Sequence, residues 1–234
     1  MTPRTKKEYL RQLVTEKNRC FRPLTAEEKA LGFLGWHERG YLPHCDYPGL
    51  VQFVTFRLWD SMPESRRGEW EHLLAIEDAR EKRTKLEAYL DQGIGRCHLR
   101  DRRIALVAEE AVLQFHDAHY ELLAWAVMPN HVHVLAHVWR TPLSRMVQSW
   151  KSFVAGKANG ILGRSGRFWE PEYWDTFMRD EKQERTAIRY IEANPVKARL
   201  CRAAEGWLYG SARFRNPKTR QFAFANGAQS SSSA

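Results

Sequence analysis

The chain has 234 residues, 43% of them hydrophobic and nine of them tryptophan. This length is sufficient for one domain with a sizeable core, and this hydrophobic content excludes a disordered chain. Lysine and arginine outnumber aspartate and glutamate by 37 to 28, and the net charge of +9 favours a polyanionic partner, nucleic acid before an anionic membrane. Because apolar runs fall short of the ~18 residues that span a bilayer and the cysteines are dispersed, we expect a cytoplasmic protein with reduced thiols and no membrane partner.

The first half of the chain is predicted to place helices around one strand. Residues 1–34 form a charged arm, in which Thr25 and Glu28 provide the capping box of a helix. Glycine and proline residues predict a loop over 35–49, and the β-branched and aromatic run Leu50–Leu58 predicts the first strand. Charged segments with a recurring apolar face then predict one long or two shorter helices over 69–92, and another helix over 103–119.

The second half is predicted to complete a small sheet. Strands over Tyr120–Val127 and His131–Val138 are joined by a tight turn. A helix over 142–159, a short last strand within 168–178 and a helix over 180–193 follow, with Pro195 marking the end of that helix or a kink, and the tail 213–234 is expected to be disordered. This order predicts an α+β domain over residues 35–212, with a ferredoxin-like, split-βαβ antiparallel sheet and helices packed on one face.

Two histidines separated by one apolar residue begin the strand at 131–138. Alternate side chains of a strand share a face, so His131 and His133 project together while Val132 and Val134 point into the core. Such a pair is half of a divalent-metal site, and an oxygen donor would complete it; an open site with mixed nitrogen and oxygen ligands favours Mg²⁺ or Mn²⁺ over structural zinc. An isolated pair of this kind is also compatible with a half-exposed polar face.

The last predicted helix carries Thr186, Tyr190 and Asn194 four residues apart, on one face. Tyr190 could attack a phosphate while Asn194 supplies the missing oxygen ligand. A phenol with a pKa near ~10 needs help to react at neutral pH, and a metal that polarises the phosphate would supply it. The stripe is equally compatible with a solvated face, and an asparagine before a proline commonly ends a helix.

These residues resemble a known family. Residues 128–133 resemble the histidine–hydrophobe–histidine motif of the single-tyrosine transposases of the HUH superfamily, and residues 190–200 resemble the tyrosine helix of the subgroup called REP-associated tyrosine transposases. Further agreement comes from residues 40–44, 52–57, 150–153 and 168–175, so the resemblance covers roughly residues 35–212. Glu192 departs from the pattern, because the subgroup often has histidine there.

The resemblance implies a metal-dependent DNA endonuclease and strand-transferase. Tyr190 would attack single-stranded DNA to give a 5′-phosphotyrosine and a free 3′-OH, and His131, His133 and Asn194 would hold the metal. Folded-back REP hairpins would be the substrate. Family members act either as monomers or as homodimers, and both states stay open for this chain.

Basic and aromatic residues are assigned supporting roles. Lys151 is expected to contact a phosphate, although a solvated helix lysine is an equal alternative. Five further basic residues could line a groove along the DNA backbone: Arg57, Arg100, Arg102, Arg103 and Lys157. Three tryptophans could stack on unpaired bases: Trp36, Trp169 and Trp174. His44 is expected to be structural.

Two other functions compete with the transposase hypothesis. The same fold could hold REP hairpins without cutting them, as a domesticated transposase, but a pure binder has no need of Tyr190 together with three metal ligands. A metal hydrolase that uses water as its nucleophile would leave Tyr190 and the basic charge unexplained. Replacing Tyr190 by phenylalanine separates the three functions.

Overall fold

The computed structural model of this protein describes residues 22–39 and 42–216. Most of the predicted arm and most of the predicted tail lie outside the described residues. The strands are β1 (Gly35–Arg39), β2 (Leu42–Asp46), β3 (Leu50–Arg57), β4 (Tyr120–Val127), β5 (His131–Val138) and β6 (Trp174–Phe177). The α-helices are α1 (Ala26–Leu31), α2 (Arg67–Leu74), α3 (Ala79–Leu90), α4 (Arg102–Leu113), α5 (Leu143–Ile161) and α6 (Glu181–Lys197).

The central element is a four-stranded sheet in the order β4-β5-β3-β6, in which all neighbours are antiparallel. Along the chain, helices connect β3 to β4, and α5 connects β5 to β6. In the sheet, β5 lies between β3 and β4, and β3 lies between β5 and β6. This interleaving of two strand–helix–strand units is the split-βαβ pattern. The predicted α+β, ferredoxin-like fold is therefore confirmed, and β4 and β5 have the predicted bounds.

Because side chains alternate along each strand, the residues of the sheet divide between two faces. Along β5, Val132 and Val134 lie in the main core, which α4 and α5 cover with side chains such as Ile104 and Trp150. The other face forms a smaller core that includes Leu135. His131 and His133 lie on this second face, as the alternation predicts.

Helices pack on both faces of the sheet, so the prediction of helices on one face is wrong. Ala187 and Ile191 of α6 pack on the second face against Phe53 and Leu135. The apolar stripe of α6 is narrow because polar and charged residues fill the rest of the helix. It covers only part of that sheet face and leaves room for a site.

The predicted loop at 35–49 is instead an antiparallel hairpin of β1 and β2. Gly35, the first residue of β1, and Gly49, the residue before β3, adopt positive φ of +67° and +83°. Pro43 pairs with Glu38 in a sheet of only two strands, where a missing N–H is tolerated. The glycine and proline residues discussed here, which favoured a loop in the sequence, are therefore compatible with the two strands.

The helix predictions hold with adjusted ends. The segment 69–92 divides into α2 and α3, α4 ends at Leu113, and Thr25 and Glu28 form the predicted capping box. Pro195 lies inside α6 instead of ending it, since Ala198 N–H still donates to Asn194 (2.9 Å) in the last turn. Within the described ranges, every helix is too short or too polar to cross a bilayer.

Candidate metal centre and tyrosine helix

The first residues of β5 bring two imidazoles together. His131 and His133 are 1% and 0% exposed, and their Nε2 atoms are 3.0 Å apart. Two nitrogen ligands about 2.1 Å from one ion and at right angles to each other would have about this separation. The prediction that these side chains share a face is confirmed, whereas the alternative of a half-exposed polar face does not match their burial.

Hydrogen bonds at the other ring nitrogens orient both imidazoles. His131 Nδ1 lies 2.8 Å from Asn130 Oδ1, and the amide of Asn130 is itself fixed because its Nδ2 donates to Ile94 O (3.1 Å). His133 Nδ1 lies 2.8 Å from the hydroxyl of Thr55, its partner in the β3–β5 register. When each Nδ1–H donates to its oxygen, both Nε2 atoms present lone pairs, which is the arrangement that metal-ligating histidines adopt.

Burial keeps the His131 ring uncharged. Removal from water lowers the pKa of His131 to about 3, so the ring is neutral at neutral pH. Two lone pairs that face each other at 3.0 Å repel unless a cation or a proton lies between them. The geometry therefore fits the binding of a metal ion.

Helix α6 brings Tyr190 and Asn194 to the same place. The Nδ2 atom of Asn194 is 3.2 Å from His133 Nε2 and 3.2 Å from the hydroxyl of Tyr190. The Tyr190 ring lies edge-on to His133, with centroids 5.7 Å apart, and Lys197 Nζ lies 5.0 Å from the Tyr190 ring centroid. Of the three residues in the predicted stripe on α6, Tyr190 and Asn194 face the histidines, while Thr186 is exposed.

Asn194 has an oxygen available for a ligand bond. The residue is 0% exposed, and among the described residues its Oδ1 has no hydrogen-bond partner. A buried amide oxygen without a partner is costly, so a cation beside it would stabilise the side chain. The residues predicted to hold the metal, His131, His133 and Asn194, are brought together by the fold.

Asp91 is a further polar residue at this site, and the sequence did not predict it. It caps the C-terminal end of α3, and its Oδ1 is 3.9 Å from His131 Nε2. One ligand atom of Asp91, one of His131 and one of His133 all lie within 4.8 Å of one another. Its position depends on long-range packing of α3, so neither periodicity nor spacing could have indicated it.

A cavity of about 820 Å³ opens beside Tyr190. Phe53 and Phe177 contribute aromatic rings to its lining, and Arg179 and Lys182 contribute positive charge. Trp36, 43% exposed, lies edge-on to Phe177 with centroids 6.2 Å apart. Aromatic rings and cations are groups that bind single-stranded nucleic acid, and Glu87 and Asp180 add negative charge to the same lining.

The other basic residues predicted to bind DNA are placed unequally. Arg57 is only 5% exposed and pairs with Glu170 at 3.3 Å, and Lys151 Nζ donates to Glu170 O and Pro171 O at 2.5 and 2.7 Å. These two side chains hold internal structure, so their placement does not support the predicted DNA contacts. The remaining four basic residues are exposed: Arg100, Arg102, Arg103 and Lys157. Of these, Arg103 forms an ion pair with Asp101.

Arg100 lies near the metal end of the sheet. The backbone N–H of Leu99 donates to Pro129 O (3.2 Å) in the turn before β5, and an added Cβ on Gly93 would lie 3.6 Å from the Arg100 guanidinium.

Of the tryptophans predicted to stack on bases, Trp169 is 5% exposed and packs on Phe56 in the core. That prediction is therefore not supported for Trp169.

Glu192 and His44 are structural. Glu192 lies on the side of α6 away from Tyr190, is 4% exposed, and pairs with Arg215. His44, 1% exposed, pairs with Asp175 of β6 and fastens the β1–β2 hairpin to the main sheet. The departure from the subgroup at Glu192 therefore does not disturb the site.

The chain is similar to known transposases. Residues 100–194 match the family described as "Transposase IS200 like". The REP-associated tyrosine transposase of Escherichia coli (strain K12) is 28% identical over 127 residues, which cover 49% of this chain and 72% of that protein. A solved structure of a REP-associated tyrosine transposase bound to a REP hairpin is 17% identical, with a TM-score of 0.45, over 77% of this chain and 84% of that one.

Proposed function

We propose that this chain is a transposase of the IS200-like family, which it resembles over residues 100–194, and that it cuts and rejoins single-stranded DNA through Tyr190. The observation that carries this proposal is the chain of contacts from the Tyr190 hydroxyl through Asn194 Nδ2 to His133 Nε2, with both distances 3.2 Å. A nucleophile and metal-ligating atoms are thereby held where one phosphate can contact both. That proximity is the requirement for a metal-assisted attack on phosphorus.

In the proposed cleavage step, the Tyr190 oxygen forms a bond to phosphorus and the bond from phosphorus to the 3′ oxygen breaks. The phenol loses a proton and the leaving 3′ oxygen gains one, so a 5′-phosphotyrosine and a free 3′-OH result. One ester is exchanged for another, and the phosphotyrosine bond keeps the energy needed for rejoining. Asn194 holds the Tyr190 hydroxyl at the site, and Lys197 adds positive charge 5.0 Å from the centre of the Tyr190 ring.

His131, His133 and Asn194 are the proposed ligands of a divalent ion, Mg²⁺ or Mn²⁺. When bound, the ion would act as a Lewis acid on the scissile phosphate. The facing Nε2 atoms support this assignment, and a half-turn of the Asn194 amide, whose Nδ2 lies 3.2 Å from His133 Nε2, would bring its partnerless Oδ1 to them. Asn130 and Thr55 keep the two rings in the orientation that ligation requires.

The proposed substrate is a REP-like DNA hairpin with unpaired flanking bases. The name of the Escherichia coli relative supports a REP element, and the net charge of +9 supports a polyanion. We infer that the unpaired strand passes through the cavity beside Tyr190, where Phe177 can stack on a base and Arg179 can contact a phosphate.

The test is a covalent-trapping gel with labelled single-stranded REP hairpins and Mn²⁺. Wild-type protein should give a slow, denaturant-resistant band that requires the ion. Tyr190→Phe should give no band but still bind the hairpin. Tyr209→Phe is the matched control, because it removes the hydroxyl of another partly buried tyrosine outside the site, and it should retain the band.

Two outcomes would replace the proposal. Tight hairpin binding without any adduct from the wild-type protein would favour the non-cleaving, domesticated binder. Metal-dependent cleavage that survives Tyr190→Phe would favour a hydrolase that uses water.

A further inference from the structure

The end of α3 is fastened beside the two histidines. Leu90 is 0% exposed and anchors the last turn, and the loop that follows is tied to the turn before β5. Asn130 Nδ2 donates to Ile94 O (3.1 Å), and Leu99 N–H donates to Pro129 O (3.2 Å). These bonds hold Asp91 close to His131 and do not depend on the Asp91 carboxyl itself.

The carboxyl of Asp91 lies in an unfavourable place for an anion. It caps the C-terminal end of a helix, where the helix dipole repels negative charge. Its side chain is 18% exposed, and among the described residues its buried Oδ1 has no hydrogen-bond partner. The Asn194 amide is hydrogen-bonded to the Asp91 carboxyl, and the positive charge of Lys197 lies nearby. A cation at the site would offset each of these costs.

One partnerless carboxylate oxygen therefore lies beside the two imidazoles. Asp91 Oδ1 and Asn194 Oδ1 both lack a hydrogen-bond partner within the described part of the chain, and the ligand atoms of Asp91, His131 and His133 lie within 4.8 Å of one another. A structural carboxylate would be expected to bond to a nearby N–H or O–H group. The buried Oδ1 of Asp91 has no such bond, and its place beside the two imidazoles fits a ligand of an ion.

We propose that Asp91 is a fourth protein ligand of the divalent ion, which rests on the proposed function above. The three other ligands are neutral, so Asp91 brings the only negative charge of the set. A second oxygen ligand shifts the preference of the site toward hard ions such as Mn²⁺ and Mg²⁺ and away from zinc. Because Asp91 lies outside residues 100–194, this ligand comes from a part of the chain that the family match does not include.

The test measures Mn²⁺ binding to the whole protein, without DNA, by the electron paramagnetic resonance signal of free Mn²⁺. Asp91→Asn keeps the shape of the side chain and removes its charge. We expect the Mn²⁺ affinity to fall about tenfold or more and the ratio of Mn²⁺ to Zn²⁺ affinity to fall with it. The matched control is Glu87→Gln, one turn earlier on α3, which removes the same charge and should change the affinity about threefold or less.

A thermal melt separates a ligand from a structural residue. Without metal, Asp91→Asn should be at least as stable as the wild type, because a buried charge has been removed. The stabilisation by added Mn²⁺ should be smaller in the variant, since it depends on the dissociation constant. Loss of stability in the metal-free variant with unchanged Mn²⁺ affinity would overturn the proposal.

His133→Ala distinguishes failure of this inference from failure of the proposed metal site. If wild type and Asp91→Asn bind Mn²⁺ equally while His133→Ala does not bind, the histidine site stands and Asp91 is not a ligand. If the wild-type protein itself does not bind Mn²⁺, both proposals are wrong.

Discussion

The ion pair between Glu192 and Arg215 gives a quantitative prediction about stability. The Glu192 side chain is 2% exposed and that of Arg215 is 7% exposed. Glu192 also accepts a hydrogen bond from Ser211 (2.8 Å), and Arg215 donates to the carbonyl of Leu123, the residue at the irregularity in the β4–β5 ladder. This pair therefore fastens the segment after α6 to both the helix and the sheet.

Glu192→Leu would leave the Arg215 charge buried beside an apolar side chain. Removing one partner of a buried pair costs about 3–5 kcal/mol. For a chain of this size, each kcal/mol lowers the melting temperature by about 2–4 °C. Replacing both partners, as in Glu192→Leu with Arg215→Met, should cost much less than the sum of the two single changes, because no charge is left unpaired.

Urea unfolding of the wild type, both single variants and the double variant measures these free energies as a double-mutant cycle. Mn²⁺ affinity of the folded single variants should stay within about twofold of wild type, because the pair lies away from Tyr190. A loss below about 1 kcal/mol in Glu192→Leu, or simple additivity in the double variant, would refute the reasoning.

Three further predictions concern the site and the fold. Thr55→Val removes the oxygen that orients His133 and should lower Mn²⁺ affinity about 10–100-fold in a titration; an unchanged affinity would contradict the role of that bond. Gly95→Ala should cost about 2 kcal/mol or more in urea unfolding, because the residue has φ of +92° and an added Cβ would collide with Asp60 O; a neutral effect would show that the loop relaxes. Phe177→Ala should weaken binding of hairpins with unpaired flanks by about 1–3 kcal/mol in a fluorescence anisotropy assay and leave blunt hairpins unaffected; equal losses would exclude base stacking there.

Much of the fold could be predicted because its signals are local. Apolar and β-branched runs of eight residues at Tyr120–Val127 and His131–Val138 specified both strands and their turn. The period of two then placed His131 and His133 on one face. The spacing of four placed Tyr190 and Asn194 together on α6, so most of the site followed from two short motifs.

The remainder depends on contacts that local patterns do not contain. Asp91 reaches the site only because α3 and the loop after it are tied to the turn before β5. The β1–β2 hairpin contains proline and is bounded by glycines, and its ion pair from His44 to Asp175 joins residues 131 positions apart. Arg57 looked like a surface cation, but it lies opposite His131 in the sheet and pairs with Glu170. Burial and pairing of such residues are properties of the packed molecule.

The central claim is that Tyr190 becomes covalently joined to DNA, and mass spectrometry of the trapped adduct tests it most directly. Trypsin cuts after Arg189 and Lys197, so the peptide Tyr190–Lys197 separates Tyr190 from the other tyrosines among the eight in the chain. After nuclease digestion, we predict that this peptide carries the mass of a phosphonucleotide on its tyrosine. An adduct on any other peptide, or an unmodified Tyr190 peptide in protein that has cleaved its hairpin, would contradict the account.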